Sequence, residues 1–211
     1  MNYLDSTFYF DFEHPTIQQI IENYKSSQLS KSEITVELYN YVRDHWRYDP
    51  FNISFENEKY KASFIAERPT GNCVEKSIVL IACLRGLGIP ARLLLGKVKN
   101  HIAVERLTKK LGTNELTPHG MVNVYLNGEW LKMSPAFNKE LCELYNVEPL
   151  EFDGKSNSFL QQYNNDGNEF MEYIEDYGHF EDVPVDFMVQ NLKDNYPEIF
   201  SADPERTEYQ L

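Results

Sequence analysis

The 211-residue chain is 42% hydrophobic and 14% aromatic, enough to bury a sizeable core, and with no linker-like stretch or internal repeat one domain over residues 1–211 is expected. A formal net charge of −13 argues against nucleic acid or an anionic membrane as partner, because phosphate binding needs clustered Lys and Arg. Three cysteines without a short-spaced pair, no apolar run of membrane-spanning length and no signal-like start make cytoplasm, with free thiols, the expected compartment.

Residues 1–13 are rich in aromatics and read as a strand or a packing arm. Pro15 opens an amphipathic helix with Ile17, Ile20, Ile21 and Tyr24 at helical spacing. Ser30 and Glu33 form a capping-box pattern for a second helix, expected to bury Ile34, Leu38, Tyr41 and Val42 and to end at Pro50. Residues 51–68 show no clean period and read as irregular.

The next stretch, from Pro69 to Arg92, organises the rest. Gly71 permits a sharp turn, Asn72 is a good N-cap, and an apolar run follows at once from Cys73 to Leu84. A helix apolar over so much of its circumference belongs in the core, and Gly86, Gly88 and Pro90 end it. Cys73 then stands where free N–H groups and the helix dipole favour an anion, so a lowered thiol pKa is expected. An inert buried cysteine is the competing reading, and a base elsewhere in the chain has to decide between them.

Residues 91–98 read as a strand and 99–118 as a long surface excursion. Residues 119–133 are the clearest hairpin, turning at Asn127-Gly128, with His119 at the head of its first strand. Short helices are expected over 138–146, 168–177 (stopped by Gly178) and 187–195, and the last eleven residues read as frayed.

Taken in order, Gly71-Asn-Cys73 at a buried helix start, Leu84 to Arg92, and His119 heading a hairpin through Trp130 resemble the transglutaminase-like (papain-like) thiol enzymes, over residues 35–137. The resemblance implies an α+β fold in which the cysteine-bearing helix packs on an antiparallel sheet bearing the histidine. It implies Cys73 as nucleophile, His119 as its base, and an acyl-thioester passed to water or an amine, with a peptide, isopeptide or small amide as substrate and no cofactor or metal. The family places an Asp where Ser134 stands; Ser134 accepts a hydrogen bond but carries no charge, and Glu151 or Asp153 are candidate replacements. Trp46 and Tyr48 fall where the family keeps an aromatic near the thiol, able to donate to an oxyanion, and Asn72 adjoins the same place; core packing is the competing reading for the aromatics. His101 and His179 read as incidental, and Cys83 and Cys142 as buried hydrophobes. A catalytically degenerate member that binds a peptide-like ligand and a purely structural partner protein remain as alternatives, the first supported by Ser134.

Overall fold

A computed structural model describes residues 3–102, 104–200 and 206–211. The N-terminal segment is a packing arm with no strand among its described residues: Phe10 is fully buried, and Tyr3 lies edge-on to Trp130 at 5.2 Å. Helix α1 (Pro15–Lys25) starts on proline, with His14 Nδ1 accepting the Thr16 N–H, and buries Ile17 and Ile21. Helix α2 (Lys31–His45) carries the expected capping box between Ser30 and Glu33. It buries Ile34, Leu38 and Val42, but Tyr39 in place of the expected Tyr41, which is 38% exposed. Two residues along a helix turn a side chain by about 200°, and the stripe at 34, 35, 38, 39 and 42 leaves Tyr41 stacked on His45 at its flank.

Helix α2 stops at His45, short of the expected Pro50, and β1 (Arg47–Tyr48) follows; the 51–68 stretch expected to be irregular holds β2 (Asn52–Ser54), a 3₁₀ turn at Asn57–Tyr60, and α3 (Ala62–Ala66). Strand β3 (Thr70–Gly71) pairs in parallel with β1 and delivers the chain into α4 (Cys73–Gly86). Every residue of α4 from Cys73 to Arg85 is buried, and Gly88, at φ +70°, turns the chain out of the helix. The apolar run predicts this placement, since no face is polar enough for solvent.

Four antiparallel strands form the main sheet: β4 (Ala91–Asn100), then, after α5 (Glu105–Leu111), β5 (Glu115–Leu126) and β6 (Glu129–Met133), and, after α6 (Lys139–Leu144), β7 (Met171–Phe180). Their order is β6-β5-β4-β7. Helix α4 packs on β4 and β5 with α1, α2 and α3 around it, so the α+β architecture and the helix-on-sheet contact are as expected. The 99–118 excursion is shorter than predicted, because β4 runs to Asn100 and β5 begins at Glu115. Asn127 (φ 51°) and Gly128 (φ 93°) make the primed hairpin turn.

Two further expectations fail. Residues 171–180 are a strand and not a helix, because β4 offers a free edge whose ladder outweighs local propensity; Gly178 (φ 84°) sits at a bulge opposite Leu95 instead of capping a helix. The chain's last residues do not fray: after α7 (Val185–Asn195) and α8 (Pro197–Phe200), residues 201–205 lie outside the described set and β8 (Glu208–Gln210) pairs with β2.

Two buried cations tie these layers to α4. Arg85 donates to the carbonyls of Asp5, Ala91 and Glu181, joining the arm, β4 and the segment after β7. Lys76 is fully buried and its three N–H bonds go to the carbonyls of Arg43 (2.7 Å), Trp46 (2.9 Å) and Ala136 (2.7 Å). Burial pulls its pKa down to about 7, with the Asp44 charge opposing that pull. Lys76→Met should therefore cost about 3 kcal/mol in urea denaturation, because three buried carbonyls lose their donor at once. A loss below about 0.5 kcal/mol would mean that they find other donors.

Candidate active site

Cys73 is the first residue of α4, and its place is set by the cap before it. The Asn72 side chain accepts the Glu75 N–H at 3.0 Å, and Glu75 Oε2 accepts the Asn72 N–H at 2.8 Å. Arg68 holds the other Glu75 oxygen at 2.5 Å, so the cap is pinned from outside the helix as well. The sulfur accepts the Gly120 N–H at 3.4 Å. Only glycine allows this approach: a Cβ on residue 120 would stand 2.5 Å from the Val74 Cα and 2.8 Å from its nitrogen. The thiol thus lies against the peptide unit next to His119.

His119 is inside β5, opposite Gly96, and not at the strand's start. It is 2% exposed, and its Nδ1 is buried with no hydrogen-bond partner among the described residues. Since Gly120 faces α4 and strand side chains alternate, His119, Met121 and Asn123 leave the sheet on the other face. Accordingly no hydrogen bond joins the Cys73 sulfur to the imidazole among the described residues; the backbone N–H of Gly120 makes that contact. Burial lowers the imidazole pKa from 6.5 to about 4, so the ring is neutral at pH 7.

Continuing the β5–β6 register one step past Val122–Met133 sets Ser134 across from Met121, on the His119 face. Ser134 is 3% exposed; its N–H donates to Ser158 and its carbonyl accepts from the Tyr39 hydroxyl. Its own hydroxyl makes no hydrogen bond to the described residues. Neither proposed replacement reaches the imidazole. Glu151 pairs with Arg43 at 3.0 Å, and Asp153 accepts the N–H groups of Lys155 and Ser156, each carboxylate being satisfied where it stands. A group that sequence reasoning missed stands at the strand position facing His119. The Tyr173 hydroxyl, on β7, lies 2.6 Å from where a Gly96 Cβ would be, directly cross-strand from His119, and is also buried without a partner among the described residues. Its strand was expected to be a helix, which hid it.

A cavity of about 80 Å³ opens over the sulfur, lined by Tyr48, Asn72, Cys73, Thr117, Pro118 and Tyr196 among others. It shares Tyr48, Pro50, Phe51, Leu116 and Leu211 with an adjoining cleft of about 540 Å³ that runs on past Arg47, Arg106 and Asn138. Burial raises the Tyr48 phenol pKa well above its usual value, with Cys73 adding to it, so Tyr48 remains a hydrogen-bond donor at the thiol. Trp46, by contrast, lines neither cavity; its indole lies against Tyr41 and His45, with Nε1 buried and unpartnered among the described residues. Tyr196, from the segment after α7, accepts the Thr117 N–H and donates to the Glu115 carbonyl, closing the wall from a part of the chain outside the expected core. His101 lies beside Glu172 at 3.4 Å and His179 beside Tyr3, both away from the thiol. No cluster of three or more His, Cys, Asp or Glu among the described residues could hold a metal ion, and no described helix is long and apolar enough to cross a membrane.

The expected depression of the Cys73 pKa is not found. Burial raises it, outweighing the N–H groups of Gly120, Val74 and Cys73 itself, and the Glu75 charge adds to the rise. Burial also takes Cys83 to about 12 and Cys142 to about 11. In the free protein, alkylation of Cys73 should therefore climb at alkaline pH, with a midpoint above the ordinary thiol value, as followed by peptide mass spectrometry. A plateau already present near pH 6 would contradict this geometry.

The buried histidine has a second consequence. Between pH 6.5 and about 4 the unfolded chain takes up a proton that the folded chain refuses, so stability is complete above 6.5 and falls through that window. The contribution at pH 5 is about 2 kcal/mol. Urea denaturation at pH 7 and pH 5 should show a smaller pH-dependent loss in His119→Gln than in the parent; equal losses would place the titration elsewhere.

The family profile of the transglutaminase-like superfamily matches residues 18–135, more than half of the chain. No curated protein matches it. Among solved structures, a candidate cysteine protease from Cytophaga hutchinsonii is similar at 16% identity and a TM-score of 0.46, covering 63% of this chain and 40% of its own. Nothing about this chain's chemistry follows from that likeness.

Proposed function

Because the chain belongs to the transglutaminase-like superfamily, we propose that it is a thiol-dependent amide hydrolase or acyltransferase acting through Cys73. The observation that carries this reading is the Cys73 sulfur at the head of α4, bonded by the Gly120 N–H at the residue next to His119 and facing a cavity. In the resting protein both groups are neutral. This reading requires the His119 imidazole, which leaves β5 on the face away from α4, to swing to the sulfur as a substrate carbonyl enters; the thiol proton then passes to the ring while the sulfur–carbon bond forms. The Tyr48 hydroxyl and the N–H groups at the start of α4 are the donors available to the oxyanion. The departing amine takes the proton from the imidazole, leaving an acyl-thioester on Cys73. Water or a primary amine then releases the acyl group and gives back the thiol. The substrate class is a peptide, isopeptide or small amide.

A second reading is favoured by the unpartnered Nδ1 of His119 and the unengaged hydroxyl of Ser134: a degenerate member that binds a peptide-like ligand without turnover. One experiment separates the two. Incubated with a panel of amide and isopeptide substrates plus hydroxylamine, the enzyme should form hydroxamates by intercepting the acyl-thioester. Cys73→Ala should abolish this, and His119→Ala should reduce kcat by about 10²–10⁴-fold. Ligand binding that survives in Cys73→Ala, with no hydroxamate from the parent protein, would establish the binding-only reading.

A further inference from the structure

One wall of the cavity over Cys73 is formed by a piece of this chain laid down as an added strand. Among the described residues strand β2 has one partner, β8, in the antiparallel register Asn52–Gln210, Ile53–Tyr209, Ser54–Glu208. The ladder extends at both ends, with Phe55 N–H donating to Thr207 at 2.7 Å and Leu211 N–H donating to Phe51 at 2.9 Å. Side chains alternate along the segment. Tyr209 is buried between Phe55 (5.2 Å) and Phe200 (4.8 Å), and Leu211 lines both the Cys73 cavity and the large cleft. Glu208 and Gln210 face solvent, and Glu208 meets Lys59 at 3.1 Å. Backbone bonds to one sheet edge with alternate side chains in separate pockets is how strand-adding sites take an extended peptide.

We propose that β2 and the cavity over Cys73 form a docking groove for an extended peptide with an aromatic and then an aliphatic residue at alternate positions, and that residues 207–211 fill it as a competing strap. The identification of that peptide as substrate rests on the reading of Cys73 as nucleophile; the groove and its strap do not. A peptide in the same register puts its aliphatic side chain where Leu211 now lines the Cys73 cavity. Releasing the strap frees both the β2 edge and the way to the sulfur.

The test reads access to the thiol, not turnover. N-ethylmaleimide labelling of Cys73 is followed in the full chain, in a variant lacking residues 206–211 and in Leu211→Gly, with the fully buried Cys83 as the internal control for unfolding. The truncated protein should label Cys73 about tenfold faster or more, with Cys83 still silent, and Leu211→Gly should give a smaller increase. A synthetic peptide of residues 206–211 added to the truncated protein should restore protection saturably, and the same peptide carrying Tyr209→Ala should not. Equal Cys73 rates in all three proteins, or no protection by the added peptide, would overturn the proposal. If the truncation exposes Cys83, Leu211→Gly decides alone: faster Cys73 labelling with Cys83 silent supports the strap, and an unchanged rate overturns it. A protein that shows release and protection but forms no hydroxamate keeps the groove and loses the enzymatic reading.

Discussion

The close approach of β5 to the first turn of α4 is the constraint on which the rest of the structure depends. Gly120 lies so near Val74 that even a methyl group would collide with backbone, which cannot yield as a side-chain tip can. That contact fixes the distance from helix to sheet, gives the Cys73 sulfur its N–H donor, and decides which sheet face His119 takes. One residue without a side chain thereby sets the relation between the two groups most able to do chemistry.

The layers around this contact are held by charges that go almost entirely to carbonyls. Lys76 gathers the end of α2 and the segment after β6 onto α4, and Arg85 gathers the arm and the segment after β7. Arg43 reaches the Leu150 carbonyl as well as Asp44 and Glu151. Each of these groups specifies an arrangement, since any other would leave a buried cation and several carbonyls unpaired. The consequence is that α4 can be nearly featureless as an apolar cylinder and still be held in one orientation.

The electrostatics of the thiol turn on magnitudes. A helix N-terminus favours an anion by about 0.3–1 kcal/mol at an exposed site, whereas full burial can move a pKa by several units. Cys73 is 7% exposed, so burial wins and the thiol rests protonated, while the imidazole on the other face of β5 is neutral. A pair in this state is quiet until something displaces the surrounding groups, which accords with a site whose cavity is lined by the chain's own Leu211.

The sequence by itself determined the local features whose cause is local. The capping box at Ser30 and Glu33, the buried helix beginning at Cys73, its glycine ending, and the Asn127-Gly128 hairpin all follow from propensity, capping and periodicity within a few residues. So did the pairing of a cysteine-bearing helix with a histidine-bearing sheet, through the ordered motifs. Tertiary structure alone decided what depended on a distant partner. Residues 171–180 became a strand because β4 had an edge to fill, and 208–210 became one because β2 did. Burial, which no single residue carries, reversed the expected direction of the Cys73 pKa. The face taken by His119, the partners of Glu151 and Asp153, the displacement of Trp46 from the thiol and the arrival of Tyr173 over Gly96 were likewise decided by packing. Each depends on where another segment comes to rest, and a local pattern carries no record of that.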